Sequence, residues 1–435
     1  MKAARLIAFH LPQFHPIPEN DAWWGEGFTE WTNARRGRPL YPRHRQPQLP
    51  GDLGFYDLRD EKARAAQAEL AGRFGVDAFC FHYYWFGGKR LLDQPIEAML
   101  AGGAPQMPFC LCWANENWTR RWDGKDEEVL IAQRHSPEDD AAVMRDVARY
   151  FRDPRYVRVA GKPLFIVYQA ALLPDARATA GRWRDECRRA GVGEIYLCAV
   201  RRFDTPARTA SAFDALVDFP PHGHIAAELT RAMRGLAADF RGRIFDYRDL
   251  VRDSLYRYRL ARAPLPNYPG VLPSWDNTAR KGTRAHIYHG GTPLRYRAWL
   301  AEAIRVALAD ARLAEPVVFI NAWNEWAEGC HLEPDQEYGL AWLEATRAAR
   351  ADASRDDRLW NRYGMRLPEL PVPLERQLAG APLEQIAARM PRIRDDDTLP
   401  TRFALALASL RRYVEARPAL RRAALPVARL VGLAD

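Results

Sequence analysis

The sequence has 435 residues, of which 48% are hydrophobic and 11% aromatic. This length and composition allow a large buried core and exclude a disordered chain. Much of the net charge of +9 lies in the last 35 residues, where seven arginines face two acidic residues. The near balance of the remaining chain argues against a nucleic-acid-binding surface spread over the body.

Eight short apolar or aromatic runs along the chain predict β-strands. They cover residues 5–14, 76–86, 107–117, 162–169, 194–202, 215–221, 268–277 and 316–326. Segments with helical periodicity lie between most of them, at residues 60–75, 95–103, 136–153, 178–191 and 293–313. Strands that alternate with helices predict an α/β fold with a parallel sheet. Eight strands favour a (β/α)8 TIM barrel, and no glycine-rich phosphate-binding sequence follows a strand to support a Rossmann-type sheet.

The pattern changes after about residue 350, where the proline-rich segment "LPELPVPLERQ" precedes two short helical segments, 382–390 and 401–416. We predict a catalytic barrel over residues 1–350 and a proline- and arginine-rich helical appendage over residues 351–435. The amphipathic, arginine-rich end of this appendage suits contact with an anionic membrane surface. A helix packed on the barrel and a frayed end are the alternatives.

The chain begins "MKAARLIAFHLPQFHP", which reaches polar residues and prolines too early for a signal peptide. No apolar run has the length that a membrane span needs. We therefore expect a cytoplasmic enzyme, and the sequence leaves its oligomeric state open.

Polar and aromatic residues crowd the ends of the predicted strands, whereas a packed barrel interior favours Val, Ile and Leu. Because barrel enzymes build their active sites at the carboxyl ends of the strands, these residues predict a site there. Tryptophan and tyrosine faces suit sugar rings, and amides, imidazoles and carboxylates suit sugar hydroxyls. The candidate substrate-binding residues are His10, Gln13, Trp23, Trp24, His82, Tyr83, Tyr84, Trp113, Asn115, Glu116, Tyr168, His222, Trp275, Asp276, Asn277, Asn321, Trp323, Asn324 and Trp326.

The motif "NAWNEWAEG", residues 321–329, places Glu325 and Glu328 directly after the last predicted strand. Two carboxylates among indoles and amides suit glycoside chemistry, in which one carboxyl is a protonated acid and the other an ionised base or nucleophile. We predict Glu325 and Glu328 as the catalytic pair and an oligo- or polysaccharide as the substrate. The spacing alone does not assign the two roles.

Neither a cofactor nor a metal is predicted. His331, Glu333 and Asp335 lie close together, but no further ligand follows at a spacing typical of a metal site. The six cysteines fall mostly in apolar runs, which favours buried thiols over disulfides or zinc ligands.

Five segments of the sequence resemble the WbsX-like family, which is related to glycoside hydrolase family 99. They are "FHLPQFHPIPENDAWWGEGFTEWTN", "FCFHYYWF", "FCLCWANENWTRRWDG", "SWDNTAR" and "NAWNEWAEGCHLEPD", and the resemblance covers residues 5–345. It implies a (β/α)8 fold and, in the hydrolase branch, retaining cleavage of α-mannosidic linkages by a Glu–x–x–Glu pair. By this resemblance Glu328 is the general acid and later the base. Glu325 deprotonates the 2-hydroxyl of the sugar, which attacks C1 to give an anhydro-sugar, unlike the usual direct attack by a carboxylate.

The sequence departs from the hydrolase branch at Ala327, where that branch has a histidine, and WbsX-like proteins have been labelled glycosyltransferases of surface-polysaccharide assembly. Three functions therefore stay open. The first is a retaining hydrolase of α-linked, mannose-type glycans in bacterial surface-polysaccharide or O-antigen metabolism. The second is a glycosyltransferase or transglycosylase of lipopolysaccharide or capsule biosynthesis, although we find no Asp–x–Asp triplet in a strand-end loop. The third, a non-catalytic glycan-binding assembly protein, is disfavoured because both glutamates are present.

Overall fold

The structure is a computed structural model that describes residues 3–120, 125–202, 206–260, 265–354, 370–382 and 385–386. The chain divides into two compact units, Met1–Ala387 and Ala388–Asp435. The second unit lies outside the described residues, as do the predicted helix at 401–416 and most of the one at 382–390.

The first unit is built on a ring of eight parallel strands, which confirms the predicted barrel. The strands are β1 (Arg5–His10), β2 (Ala78–Phe86), β3 (Phe109–Trp113), β4 (Lys162–Val167), β5 (Tyr196–Arg201), β6 (Ala215–Asp218), β7 (Asn267–Tyr268 and Gly270–Val271) and β8 (Val317–Ile320). Each strand pairs with the next one along the chain, and β8 pairs with β1. In β1, for example, Ile7 lies between Ala78 of β2 and Phe319 of β8.

Helices lie between the strands at all five positions predicted there. Those of the described residues are α1 (Pro18–Trp24), α2 (Glu30–Ala34), α3 (Glu61–Arg73), α4 (Gln94–Gly102), α5 (Pro137–Phe151), α6 (Ala176–Arg189), α7 (Ala207–Ala210), α8 (Tyr247–Leu260), α9 (Thr278–Lys281), α10 (Pro293–Ala309), α11 (Ala341–Ala353) and α12 (Val372–Leu378). Polar capping residues fix the N-terminal ends of several of these helices. Ser136 accepts a hydrogen bond from the Asp139 N–H at the start of α5, and Thr292 does the same for α10, each followed by a proline at the first helical position.

The predicted strand over residues 268–277 is wrong in its second half. The barrel strand ends at Val271, and Trp275–Asp276 pairs antiparallel with His286–His289 in a small separate sheet that also contains Arg243–Asp246. Prolines at 269 and 273 interrupt the run, and a proline supplies no N–H to a strand ladder. The eighth predicted strand likewise ends at Ile320, and Asn324–Glu325 pairs with Cys330–His331 outside the ring.

Shorter strands pair with strands of the ring or with each other. Lys89–Leu91 pairs with β2 and Arg158–Val159 with β4, while Trp118–Arg120 and Lys125–Ile131 form a hairpin after β3. Single 3-10 turns occur at Ala170–Leu172, Thr230–Ala232, Gly282–Arg284 and Trp326–Glu328.

The core fills the ring and the layer between the strands and helices. All four residues of β8 and all five of β3 are buried, as expected for parallel strands covered on both faces. The six cysteines are buried with free thiols, as predicted.

The last described segment packs against the barrel. Arg297 of α10 binds the Asp352 carboxylate at 2.7 and 2.9 Å and donates to the carbonyl oxygens of Ala379 and Ala381. The boundary predicted at residue 350 remains a prediction. Within the part of the chain that the structure describes, no helix is both long enough and apolar enough to cross a membrane.

Candidate active site

A cleft of about 600 Å³ opens at the carboxyl ends of the barrel strands, where the sequence predicts the site. Its lining includes both predicted catalytic residues and ten of the predicted substrate-binding residues. These are Gln13, Trp23, Trp24, His82, Tyr84, Glu116, Tyr168, His222, Trp275, Asn277, Glu325 and Glu328.

The segment after β8 is held in place before it turns into the cleft. The Asn324 side chain accepts from the Leu11 N–H at 2.7 Å and donates to the Leu11 carbonyl at 3.0 Å, which ties the segment to the end of β1. The 3-10 turn Trp326–Glu328 then ends at Gly329, whose φ is 57°. A Cβ at Gly329 would also come within 2.9 Å of the Asp276 carbonyl oxygen, so the turn needs glycine. This turn brings both Glu325 and Glu328 to the cleft.

One guanidinium joins three carboxylates at the floor of the cleft. Arg280 Nη2 lies 2.6 Å from Glu30 Oε1 and 2.8 Å from Glu325 Oε2, and Arg280 Nη1 lies 2.6 Å from Glu328 Oε1. Arg280 lies on α9 and Glu30 on α2, so residues far apart in sequence converge at the pair that follows β8. His82 of β2 adds an imidazole, with Nε2 3.8 Å from Glu325 Oε1.

The electrostatics of this cluster favour retention of a proton. With all three carboxylates ionised and Arg280 charged, the four side chains would carry a net charge of about −2 away from bulk water, which is unfavourable. Burial raises the pKa of Glu325 to about 7, against the attraction of Arg280, and the negative charge of Glu30 adds to the rise. Burial also raises the pKa of Glu30. A carboxyl group that titrates near neutral pH can accept a proton and return it.

Aromatic side chains form the walls of the cleft. Trp118 contacts Trp23 and Tyr84, with ring centroids 5.9 and 5.2 Å apart. On the opposite side, the Tyr168 hydroxyl lies 2.9 Å from His222 Nε2. Flat apolar faces beside polar atoms can bind both the ring faces and the hydroxyls of a sugar.

Nine predicted substrate-binding residues lie outside the lining of this cleft. They are His10, Tyr83, Trp113, Asn115, Asp276, Asn321, Trp323, Asn324 and Trp326. Strand alternation is one reason, since His82 and Tyr84 point into the barrel while Tyr83 points out to donate to Asp146 of α5.

The other displaced residues are held in the core or in neighbouring loops. His10 contacts Gln67, Trp113 packs on Trp183, Trp323 packs on Phe79, and Trp326 stacks on His331. Asn115 and Asn321 donate to the carbonyl oxygens of Gln169 and Pro220, as Asn324 does to that of Leu11.

Asp276 lines a second cavity of about 970 Å³ that shares Trp275 and Tyr288 with the cleft. Its carboxylate accepts from Gln46 and contacts His44 Nε2, each at 2.7 Å. Burial opposes ionisation of Asp276, but the hydrogen bonds from His44, Thr278 and Gln46 outweigh it and lower its pKa.

Hydrogen bonds within the protein occupy the group formed by His331, Glu333 and Asp335. His331 Nδ1 lies 3.0 Å from the Glu333 carbonyl oxygen, and the Glu333 carboxylate accepts from Tyr56, Gln67 and Trp326. Across the described ranges no group of three or more His, Cys, Asp or Glu side chains has the arrangement of a metal site.

Glu30 and Arg280 are site residues that the sequence analysis missed. Both lie in segments that carry the family resemblance, "GEGFTEWTN" and "SWDNTAR". Arg280 lines the cleft and Glu30 does not. Other lining residues outside the predicted set include Arg202, Phe219, Lys281, His286 and Tyr288.

The model of the family described as glycosyltransferase WbsX matches residues 6–346. An uncharacterized protein WxcX of Xanthomonas campestris pv. campestris strain B100 is 52% identical over 349 residues, which is 80% of this chain and 49% of that protein. The corresponding protein of a second strain, ATCC 33913, is 51% identical over the same length. The chain thus spans about half the length of the curated relatives it matches.

Comparison with solved structures finds similarity at low sequence identity. A glycoside hydrolase-like protein superposes with a TM-score of 0.52 at 14% identity, over 80% of this chain and 94% of that chain. A GH99 endo-alpha-mannosidase from Bacteroides thetaiotaomicron gives a TM-score of 0.49 at 15% identity, over 81% of this chain and 100% of that chain.

Proposed function

The chain belongs to the glycosyltransferase WbsX family, and from that premise we propose that it is a glycan-active enzyme that cleaves α-linked, mannose-type glycans with retention of configuration. The observation that carries this proposal is the contact of Arg280 with both Glu325 and Glu328 inside a cleft walled by indole and phenol rings. The bacterial surface-polysaccharide or O-antigen setting and the cytoplasmic location belong to the same proposal.

In the first step, Glu328 donates its proton to the leaving glycosidic oxygen. Glu325 takes the proton of the sugar 2-hydroxyl as O2 attacks C1 and the bond from C1 to the leaving oxygen breaks. In the second step, water attacks C1 of the anhydro-sugar and the bond from C1 to O2 breaks, while Glu328 takes the water proton and Glu325 returns its proton to O2. The two inversions at C1 give net retention, and both carboxyl groups end in their starting states.

The position of Glu325 supports its proposed role. Glu325 is the more buried of the pair, and its raised pKa of about 7 makes its conjugate base strong enough to assist removal of a hydroxyl proton near neutral pH. Arg280 contacts Glu325 at 2.8 Å and so stabilises the ionised form that the first step requires.

A transferase or transglycosylase is the second candidate, favoured by the description of the family that the chain matches. The same cleft would serve it if the hydroxyl of an acceptor glycan replaced water in the second step. The two candidates therefore differ in the acceptor and share the carboxylate pair.

The proposal is tested by incubating the wild-type protein and the Glu325→Gln and Glu328→Gln variants with α-mannan and O-antigen oligosaccharides in ¹⁸O-water. We expect the wild type to release sugars that carry one ¹⁸O at C1, detected by mass spectrometry. Each variant should lose activity by a factor of about 10² to 10⁴, the usual contribution of a general acid or base. Glu315→Gln is the matched control, because Glu315 pairs with Arg5 at the opposite end of the barrel.

Full activity in either variant would contradict the assigned roles. Products without ¹⁸O that are extended by an acceptor sugar would instead establish the transferase.

A further inference from the structure

Glu30 is the least accessible carboxylate of the cluster at the floor of the cleft. It is 0% exposed, and its backbone N–H donates to the Gln13 carbonyl after β1. Its Oε1 accepts from Arg280 Nη2 at 2.6 Å and from the backbone N–H of Ala327 at 3.1 Å. Glu30 therefore contacts both the guanidinium that binds the catalytic pair and the turn that carries that pair.

The second oxygen of Glu30, Oε2, is buried and has no hydrogen-bond partner among the residues that the structure describes. A buried polar atom without a partner is costly, and more so when the group is ionised. An ionised Glu30 therefore depends on the contacts of Oε1, and the charged one of these is with Arg280.

We propose that Glu30 is a positioning residue that, through Arg280, sets the pH at which Glu325 becomes a base. This inference rests on the proposed function, because it assigns Glu325 the role of base. Arg280 Nη2 contacts both Glu30 and Glu325, so the same positive charge stabilises the ionised forms of both carboxylates.

The charged and titratable groups around Glu325 come from four elements. They are His82 and Tyr84 of β2, Glu30 of α2, Arg280 of α9, and Glu328 and Cys330 beside Glu325. Of these, Glu30 is the buried carboxylate whose charge raises the pKa of Glu325. With the charge of Glu30 removed, the attraction of Arg280 acts on Glu325 with less opposition, and Glu325 ionises at lower pH.

Glu30→Gln is the variant that separates charge from shape, because an amide oxygen can still accept from Arg280 and from Ala327. We expect the acid limb of the kcat/KM profile to move to lower pH by roughly one unit, the lower end of the effect of a nearby charge. Glu30→Asp keeps the charge, so its acid limb should lie at the same pH as that of the wild type. If Glu30 had only a structural role, both variants would lose activity at every pH without a shift of the limb, which would overturn the proposal.

A second readout needs no activity. In protein labelled with ¹³C at the glutamate carboxyl carbons, the Glu325 resonance is assigned from its absence in Glu325→Gln. We expect this resonance to titrate at lower pH in Glu30→Gln than in the wild type, because the charge of Glu30 no longer opposes the ionisation of Glu325. Equal titration in the two proteins would overturn the proposal even if no glycan is cleaved. A shift to lower pH with no glycan turned over would contradict the proposed function alone.

Discussion

Arg280 is the residue on which the geometry of the site depends most. Its two terminal nitrogens bind different carboxylates, Nη2 to Glu30 and Glu325 and Nη1 to Glu328. A planar guanidinium presents donors in fixed directions, whereas a lysine ammonium is a single point charge. One side chain thus contacts Glu325 and Glu328 together and helps to fix the distance between their carboxylates.

Trp23 tests the role of the aromatic wall. Trp23→Ala removes the ring that packs edge to face on Trp118 at the cleft, while the carboxylate cluster stays in place. We expect KM for the glycan to rise about tenfold, equivalent to about 1.4 kcal/mol of binding, with kcat changed less than threefold. Trp23→Phe should recover part of the loss, as measured by steady-state kinetics.

Tyr256→Ala is the control for this prediction, because Tyr256 is 41% exposed on α8 and does not line the cleft. An unchanged KM in Trp23→Ala would show that Trp23 does not contact the substrate.

At the scale of residues, the sequence predicts the members of the site that belong to recognisable local patterns. Glu325 and Glu328 stand together after an apolar run, and both lie in the cleft. Glu30 and Arg280 are 250 residues apart, and nothing in either local sequence predicts that they meet. Strand alternation and side-chain packing then decide which aromatic residues face the cleft, and these could not be derived without the register of the strands.

A buried ion pair connects two of the helices that cover the barrel, α10 and α11. Arg297 of α10 is 2% exposed and Asp352 of α11 is 3% exposed, and the guanidinium also binds two carbonyl oxygens just beyond α12. Removal of one partner from such a pair leaves an uncompensated buried charge. The pair therefore holds three helices together.

We predict that Arg297→Met lowers the free energy of unfolding by about 3–5 kcal/mol. Arg312→Met, which breaks the more exposed pair with Asp310, should cost less than about 1 kcal/mol. Chemical denaturation followed by tryptophan fluorescence measures both values. The double variant Arg297→Met with Asp352→Leu should regain part of the loss, and equal stability of Arg297→Met and Arg312→Met would refute this account of the interface.

At the scale of elements, five helices were predictable from their periodicity, whereas the 13-residue α11 and most short elements were not. The helices α5 and α10 combine an amphipathic pattern with a capping residue and a proline at the first position. The small sheet beside the barrel has strands of two to four residues, too short for a clear alternating pattern, and the sequence analysis missed it. It also did not predict α8.

At the scale of the whole molecule, the alternation of strands and helices was sufficient to predict the barrel. Each parallel strand needs a crossover before the next, so eight alternating units leave few other topologies. The sequence did not predict that β7 divides at Pro269 and pairs with β6 through one half and with β8 through the other. The ring closes through these two halves.

The most direct test of the central claim is a time course of the anomeric proton signals during cleavage of an α-mannan oligosaccharide by the wild-type protein. The proposed route through an anhydro-sugar inverts C1 twice, so we predict that the α-anomer of the product appears first and that the β-anomer follows only by mutarotation. A β-anomer that appears first would mean a single displacement by water, and it would contradict the role of Glu325 as the base that activates the 2-hydroxyl.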